Sequence, residues 1–168
     1  KGVQWHDGKP FTSADVKFTF EQILLQFHSR TKAGLENVLE AIDTPNETTV
    51  IFRFKQPYAP LLRRLDVVEA PILAKHIYEG TDVQKNPANT QPIGTGPFKF
   101  KSVDPGIRIE YVRNDGYWKP GLPYLDGIEF YHFDAFSPPL GAALLSGRVD
   151  YARLLDPGSP FLELSPLA

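Results

Sequence analysis

The sequence predicts a mixed α/β chain in which a helix-rich first half is followed by a second half of short strands. Three observations carry this expectation. Val16, Phe20, Ile23, Leu24 and Phe27 fall on one face at helical spacing. Thr48, Val50, Phe52 and Phe54 alternate with Thr49, Ile51, Arg53 and Lys55 at the period of a strand. Beyond Pro92 the texture changes to short alternating runs at 96–100, 107–113 and 128–133.

The elements follow in chain order. Val3 to Trp5 reads as a short strand closed by a turn at His6-Asp7-Gly8-Lys9-Pro10, because Asp-Gly and Pro favour turn geometry. Thr12 is placed to N-cap the first helix, with Asp15 three residues on in a short form of the capping box. A second amphipathic helix is expected through Leu35, Val38, Leu39 and Ile42, ending near Asp43-Thr44-Pro45-Asn46, where Pro45 disfavours helical geometry at the residue before it. The strand at 48–55 comes next. Residues 58–65 then form a short helix opened by Pro57 or Pro60, followed by an irregular stretch over 71–78 and a polar loop over 80–92. In the strand-rich half, Ile107, Ile109 and Tyr111 share one face, as do Ile128, Phe130 and His132. Ser137 caps a last helix with Pro138 at its first position, Leu140, Leu144 and Leu145 as its apolar face and Gly147 as its C-terminal stop. A final strand is expected over 149–152. The organisation is therefore a helix-rich part over 1–92, a sheet-forming part over 93–153, and an aperiodic tail over 154–168.

Composition narrows the function. Among 168 residues, 42% hydrophobic and 23% charged content matches a globular protein and excludes a disordered class. A net charge of −2 provides no basic field for nucleic acid. Cysteine is absent, which removes disulfides and thiolate chemistry. The chain contains no Met and opens on Lys1-Gly2-Val3-Gln4-Trp5, which reads as the middle of a strand and suggests a segment of a longer protein.

Catalytic signatures are missing. There is no Gly-x-Ser-x-Gly elbow to expose a serine nucleophile and no P-loop to wrap phosphate. Gly94-Thr95-Gly96 lacks a third glycine and runs into a strand, so it is not a dinucleotide fingerprint, and no cofactor is expected. His6, His28, His76 and His132 are not spaced for a shared metal, and none is expected. His6 belongs to a turn. His28 stands apart because it ends the main helix beside Ser29 and Arg30, where a polar cluster could face a ligand. Its simpler role is a cation at a helix C-terminus. Arg63-Arg64 and the Lys99, Lys101, Arg108 series read as solvated faces.

Five motifs in order identify a family. Trp5-His6-Asp7-Gly8-Lys9-Pro10-Phe11-Thr12-Ser13-Ala14-Asp15-Val16 resembles the opening signature of family 5 extracellular solute-binding proteins, the receptors of peptide- and nickel-type ABC transporters. Thr48-Thr49-Val50-Ile51-Phe52 is similar to the family's Thr-Val strand, and Gly94-Thr95-Gly96-Pro97-Phe98 to its Gly-Thr-Gly-Pro motif. Arg113-Asn114-Asp115-Gly116-Tyr117-Trp118 and Leu144-Leu145-Ser146-Gly147-Arg148-Val149-Asp150 complete the series, with Arg148 standing where the family has an acidic residue.

The resemblance implies an incomplete lobe of a type II periplasmic-binding-protein-like fold, a mixed sheet with flanking helices. It also implies capture of a peptide between two closing lobes in the periplasm and delivery to an inner-membrane permease. No catalytic residue is expected. Element ends facing a cleft carry ligands more often than element centres, which selects His28 and Arg30 after the first helix and Asp150, Tyr151 and Arg153 after the last. Two other readings stay open, a nickel or metal-chelate receptor of the same fold and a non-enzymatic assembly domain, with a hydrolase more distant. A chain lacking its second lobe is also expected to self-associate through exposed apolar surface.

Overall fold

The computed structural model describes residues 2–132 and 138–151. They fall into two compact units, one of residues 2–101 and 111–128, the other of residues 102–110, 129–132 and 138–151.

The first unit starts with a single antiparallel bridge between Gln4 and Pro10, in place of a longer strand, with Gly8 taking the positive φ of the turn. Thr12 then caps α1 (Ser13–Phe18) as expected. Its backbone N–H donates to Asp15 Oδ2 at 2.8 Å and its hydroxyl donates to the same oxygen at 3.2 Å. The other carboxylate oxygen accepts the Lys75 N–H at 2.9 Å, so one buried side chain joins two distant helix starts.

Helix α1 widens into a π-helical segment over Thr19–Leu24 before α2 (Leu25–Phe27). A π turn holds more residues than an α turn and shifts the phase of everything after it. Phe20, Ile23 and Leu24 are buried, but Phe27 is rotated off the apolar face and is 56% exposed, a correction to its expected place in the core. His28 breaks the helix with an extended backbone, and α3 follows (Ser29–Leu35).

The helix expected through Ile42 does not form. Leu39–Asn46 is strand β1, paired antiparallel with β2 (Thr49–Phe54) in a register that sets Leu39 opposite Phe54 and Ile42 opposite Phe52. The spacing of Leu35, Val38, Leu39 and Ile42 is helical, but only Leu35 is in a helix, as the last residue of α3; pairing with β2, with a register irregularity between Leu39 and Ala41, makes Leu39 and Ile42 strand. Ser13 caps the hairpin turn by donating its hydroxyl to Asn46 O at 2.7 Å and its N–H to Glu47 O at 2.9 Å. The core gathers Phe20, Leu24, Leu35 and Ile42, with Val50, Phe52 and Phe54 packed against them and the Phe20 and Phe52 rings edge to face. A smaller cluster joins Phe18, Ile23 and Tyr78.

Helix α4 (Leu61–Arg64) lies within the expected 58–65 segment, and α5 (Lys75–Tyr78) forms where an irregular stretch was expected. The 80–92 loop includes a 3-10 turn over Pro87–Asn89, and it is tied down by Asn86, whose side chain bonds Ile77 O, Thr81 Oγ1 and the Ala88 N–H. Strands β3 (Phe98–Asp104), β4 (Arg108–Arg113) and β5 (Gly127–Tyr131) form a sheet in that order. Arg113 N–H to Asp126 O and His132 N–H to Ile107 O mark the β4–β5 pairing as antiparallel.

In the second unit, α6 (Pro138–Leu145) stops at Gly147, which has positive φ, while the Arg148 N–H returns to Ala143 O at 2.8 Å. Ala143 is the buried side of this helix and Leu145 is exposed, against its expected apolar role. Residues 149–151 are not strand. Ser137, Ala152 and Arg153 lie outside the described residues.

Candidate functional site

Two polar clusters in the first unit are built from residues far apart in sequence. The first joins three of the five motifs. His6 Nδ1 accepts the Gly94 N–H at 3.1 Å, His6 Nε2 bonds Gly96 O at 3.0 Å, and the His6 N–H donates to Gly94 O at 2.9 Å. Asn114 donates its side-chain amide to the same Gly96 oxygen at 2.9 Å, and its N–H donates to Pro97 O at 2.9 Å. Beside them, Asp7 meets His76 Nε2 at 2.7 Å, and the buried Trp5 ring packs on Phe11 and His76. Burial pushes the His6 imidazolium below its ordinary pKa, and the nearby Lys99 charge adds to this; the Gly96 bond and Asp7 oppose it without reversing it. Burial would raise the Asp7 carboxyl, but the His76 and Lys9 hydrogen bonds and charges together hold it below the usual carboxylate range.

The second cluster surrounds the break between α2 and α3. His28 Nδ1 lies 2.8 Å from Thr31 Oγ1 and 3.3 Å from the Thr31 N–H, capping α3, so His28 begins a helix as well as ending one. The Thr31 hydroxyl donates to Glu69 O, which fastens the 66–70 segment to α3. Arg64 completes the tie, donating to Glu69 Oε2 at 2.8 Å and to Arg30 O at 3.4 Å. Its guanidinium fills the space left by Gly34, where an added Cβ would lie 2.4 Å from Arg64 Nη1. Asp66 accepts the Val68 and Glu69 N–H groups, and these bonds hold its carboxyl below its ordinary pKa. Arg30 projects into solvent.

His28 and Arg30 thus share one helix break, with a hydrogen-bonded polar floor of Thr31, Arg64 and Glu69 that the sequence did not announce. Asp150 and Tyr151 follow α6 in the second unit and are exposed. Among the described residues no group of three or more His, Asp or Glu side chains is arranged to hold a metal ion, and no helix is long and apolar enough to cross a membrane. The only advance signal of the first cluster was the joint presence of the motifs around His6, Gly94 and Asn114; side chains bonded across 88 and 90 positions leave no local pattern.

The family model for bacterial extracellular solute-binding proteins, family 5 middle, matches residues 1–166. The chain belongs to family 5. It is 34% identical over 135 residues to the oligopeptide-binding protein AppA of Bacillus subtilis, a match covering 77% of this chain and 24% of AppA. The chain therefore spans about a quarter of that relative's length. The solved structure of B. subtilis AppA in complex with a nonapeptide superposes with a TM-score of 0.75 at 30% identity, over 89% of this chain and 30% of that one. NikZ of Campylobacter jejuni in complex with Ni(L-His) gives a TM-score of 0.71 at 25% identity, over 88% of this chain and 29% of NikZ. The fold is that of this family of type II periplasmic binding proteins, with the chain accounting for one incomplete lobe.

Proposed function

We propose that this chain is part of the substrate-binding component of an ABC importer, a receptor that captures di- or oligopeptides in the periplasm and presents them to a membrane permease. The observation that carries the reading is the family 5 match over 1–166 together with the likeness to an oligopeptide-binding protein in sequence and in structure. Binding without covalent chemistry is the mechanism. A peptide backbone offers N–H and C=O groups to polar groups of the receptor, and closure is favoured because the ligand touches both lobes.

Within the chain, His28 and Arg30 supply ligand contacts from the helix break, and Asp150, Tyr151 and Arg153 supply others after α6. Thr31, Arg64 and Glu69 support the reading for the first pair, because they fix the backbone beneath it while Arg30 stays free to reach solvent. A second reading, a nickel-chelate receptor, is favoured by the NikZ likeness.

Thermal-shift and calorimetric titration of the natural protein carrying this chain separates the two. Peptides at about 100 times their Kd stabilise the receptor by about 2.7 kcal/mol. Stabilisation by the nickel–histidine complex alone would replace the first reading with the second, and a response to neither would remove both.

A further inference from the structure

We propose that His6 is an acid-released clasp: a neutral imidazole that holds the Gly94–Gly96 loop to the Trp5–Gly8 turn and lets go of the Gly94 N–H when it takes up a proton. The assignment follows from which groups donate. A backbone N–H only donates, so Nδ1 must present a lone pair to Gly94. A carbonyl only accepts, so the ring proton must sit on Nε2 and point at Gly96 O. Both bonds require the neutral ring with its proton on Nε2.

Protonation breaks this selectively. A second ring proton on Nδ1 faces the Gly94 N–H, donor against donor, and that bond is lost. Gly96 O keeps both the Nε2–H and the Asn114 amide. Protonation therefore removes only the bond from the Gly94 N–H, while Gly94 O keeps the His6 backbone N–H at 2.9 Å. The charged and titratable groups around the ring favour the neutral form on balance. Lys99, whose Nζ lies 3.4 Å from His6 O, opposes a second positive charge; Asp7 attracts it, but its carboxylate is already engaged by His76. Since the folded ring binds its proton less readily than a free imidazole, the clasp is fully closed above the ordinary imidazole pKa and opens as pH falls through the lowered folded value.

The test is NMR of the full chain from about pH 8 down to about pH 4, a range that starts above the ordinary imidazole pKa and runs well below it to take in the lowered value. The expected result is a neutral His6 with its proton on Nε2, and a Gly94 amide whose exchange protection falls about tenfold as the ring titrates, the loss of one hydrogen bond. The His6→Asn variant keeps an acceptor for Gly94 and cannot titrate, so its Gly94 protection stays level. Constant protection in the unmodified chain, or an equal fall in His6→Asn, overturns the proposal. A fall abolished by His76→Gln also overturns it, by moving the cause to the Asp7–His76 pair. If His6→Asn does not fold, the tautomer decides alone, and a neutral His6 protonated on Nδ1 ends the proposal.

Discussion

In the first unit Phe20, Leu35 and Ile42 are each 1% exposed, whereas in the second Ile107 and Phe130 retain 61% and 58% exposure and Ala143 is the buried apolar side chain among the described residues. The first unit holds itself together from within, with aromatic and aliphatic side chains from its helices, a hairpin and the 70–72 segment converging on one core. The described part of the second is knit on one sheet face by polar links: Arg108 to Asp104 at 3.0 Å and to Glu129 at 3.5 Å, and Ser102 to Glu110 at 3.2 Å. Exposed ion pairs of this kind contribute about 0–1 kcal/mol each, while a fully buried aromatic contributes several times that. Belonging to one chain and one family does not make the described parts of the two units equally well packed.

The comparison can be broken at its strong end first. Phe20→Ala removes a ring at the centre of the first core, and the expected loss is about 3–5 kcal/mol in urea denaturation. A loss under about 1 kcal/mol would mean that this core does not dominate. Gly127→Ala gives an intermediate effect, because the new Cβ would stand 2.7 Å from Tyr111 O, a backbone atom that cannot rotate away. The expected cost is about 1–3 kcal/mol in the same assay, and an unchanged midpoint would show that the β4–β5 pairing yields easily. Ile107→Thr, on an exposed residue of the second unit, is expected to change stability by less than about 0.5 kcal/mol. A loss comparable to that of Phe20→Ala would show that Ile107 is covered in solution and erase the contrast.

What could be read in advance was the structure whose cause is local. Thr12 and Asp15 lie three residues apart and cap α1 within a single turn, and the alternation of β2 is held in consecutive residues. The 39–46 segment reads as helix because its apolar spacing with Leu35 and Val38 fits one, and the choice of strand is made by pairing with β2. Phe27 was misplaced by a π turn that composition does not signal. The same division runs through the site. His28 and Arg30 were singled out from their place at a helix end, but Thr31, Arg64 and Glu69 were not, since their link joins positions 38 and 5 residues apart through backbone carbonyls and a packed guanidinium. His6 was assigned to its turn, and its partners are 88 and 90 residues away.

The contact between Thr19 and Leu73 has a topological consequence. The Thr19 hydroxyl donates to Leu73 O at 3.1 Å and accepts the Leu73 N–H at 3.0 Å, and Asp15 bonds Lys75 close by in sequence. The chain therefore returns at Leu73 to the point it left at Thr19, and everything from Phe20 to Ile72 is a detour closed by that contact. The detour contains the main core, the β1–β2 hairpin and the His28–Arg30 break. The detour is also pinned from inside, since Ser13 holds its hairpin turn through Asn46 O and Glu47 O and Ile23 packs with Phe18 and Tyr78, so a change in its core is passed directly to α1 and α5.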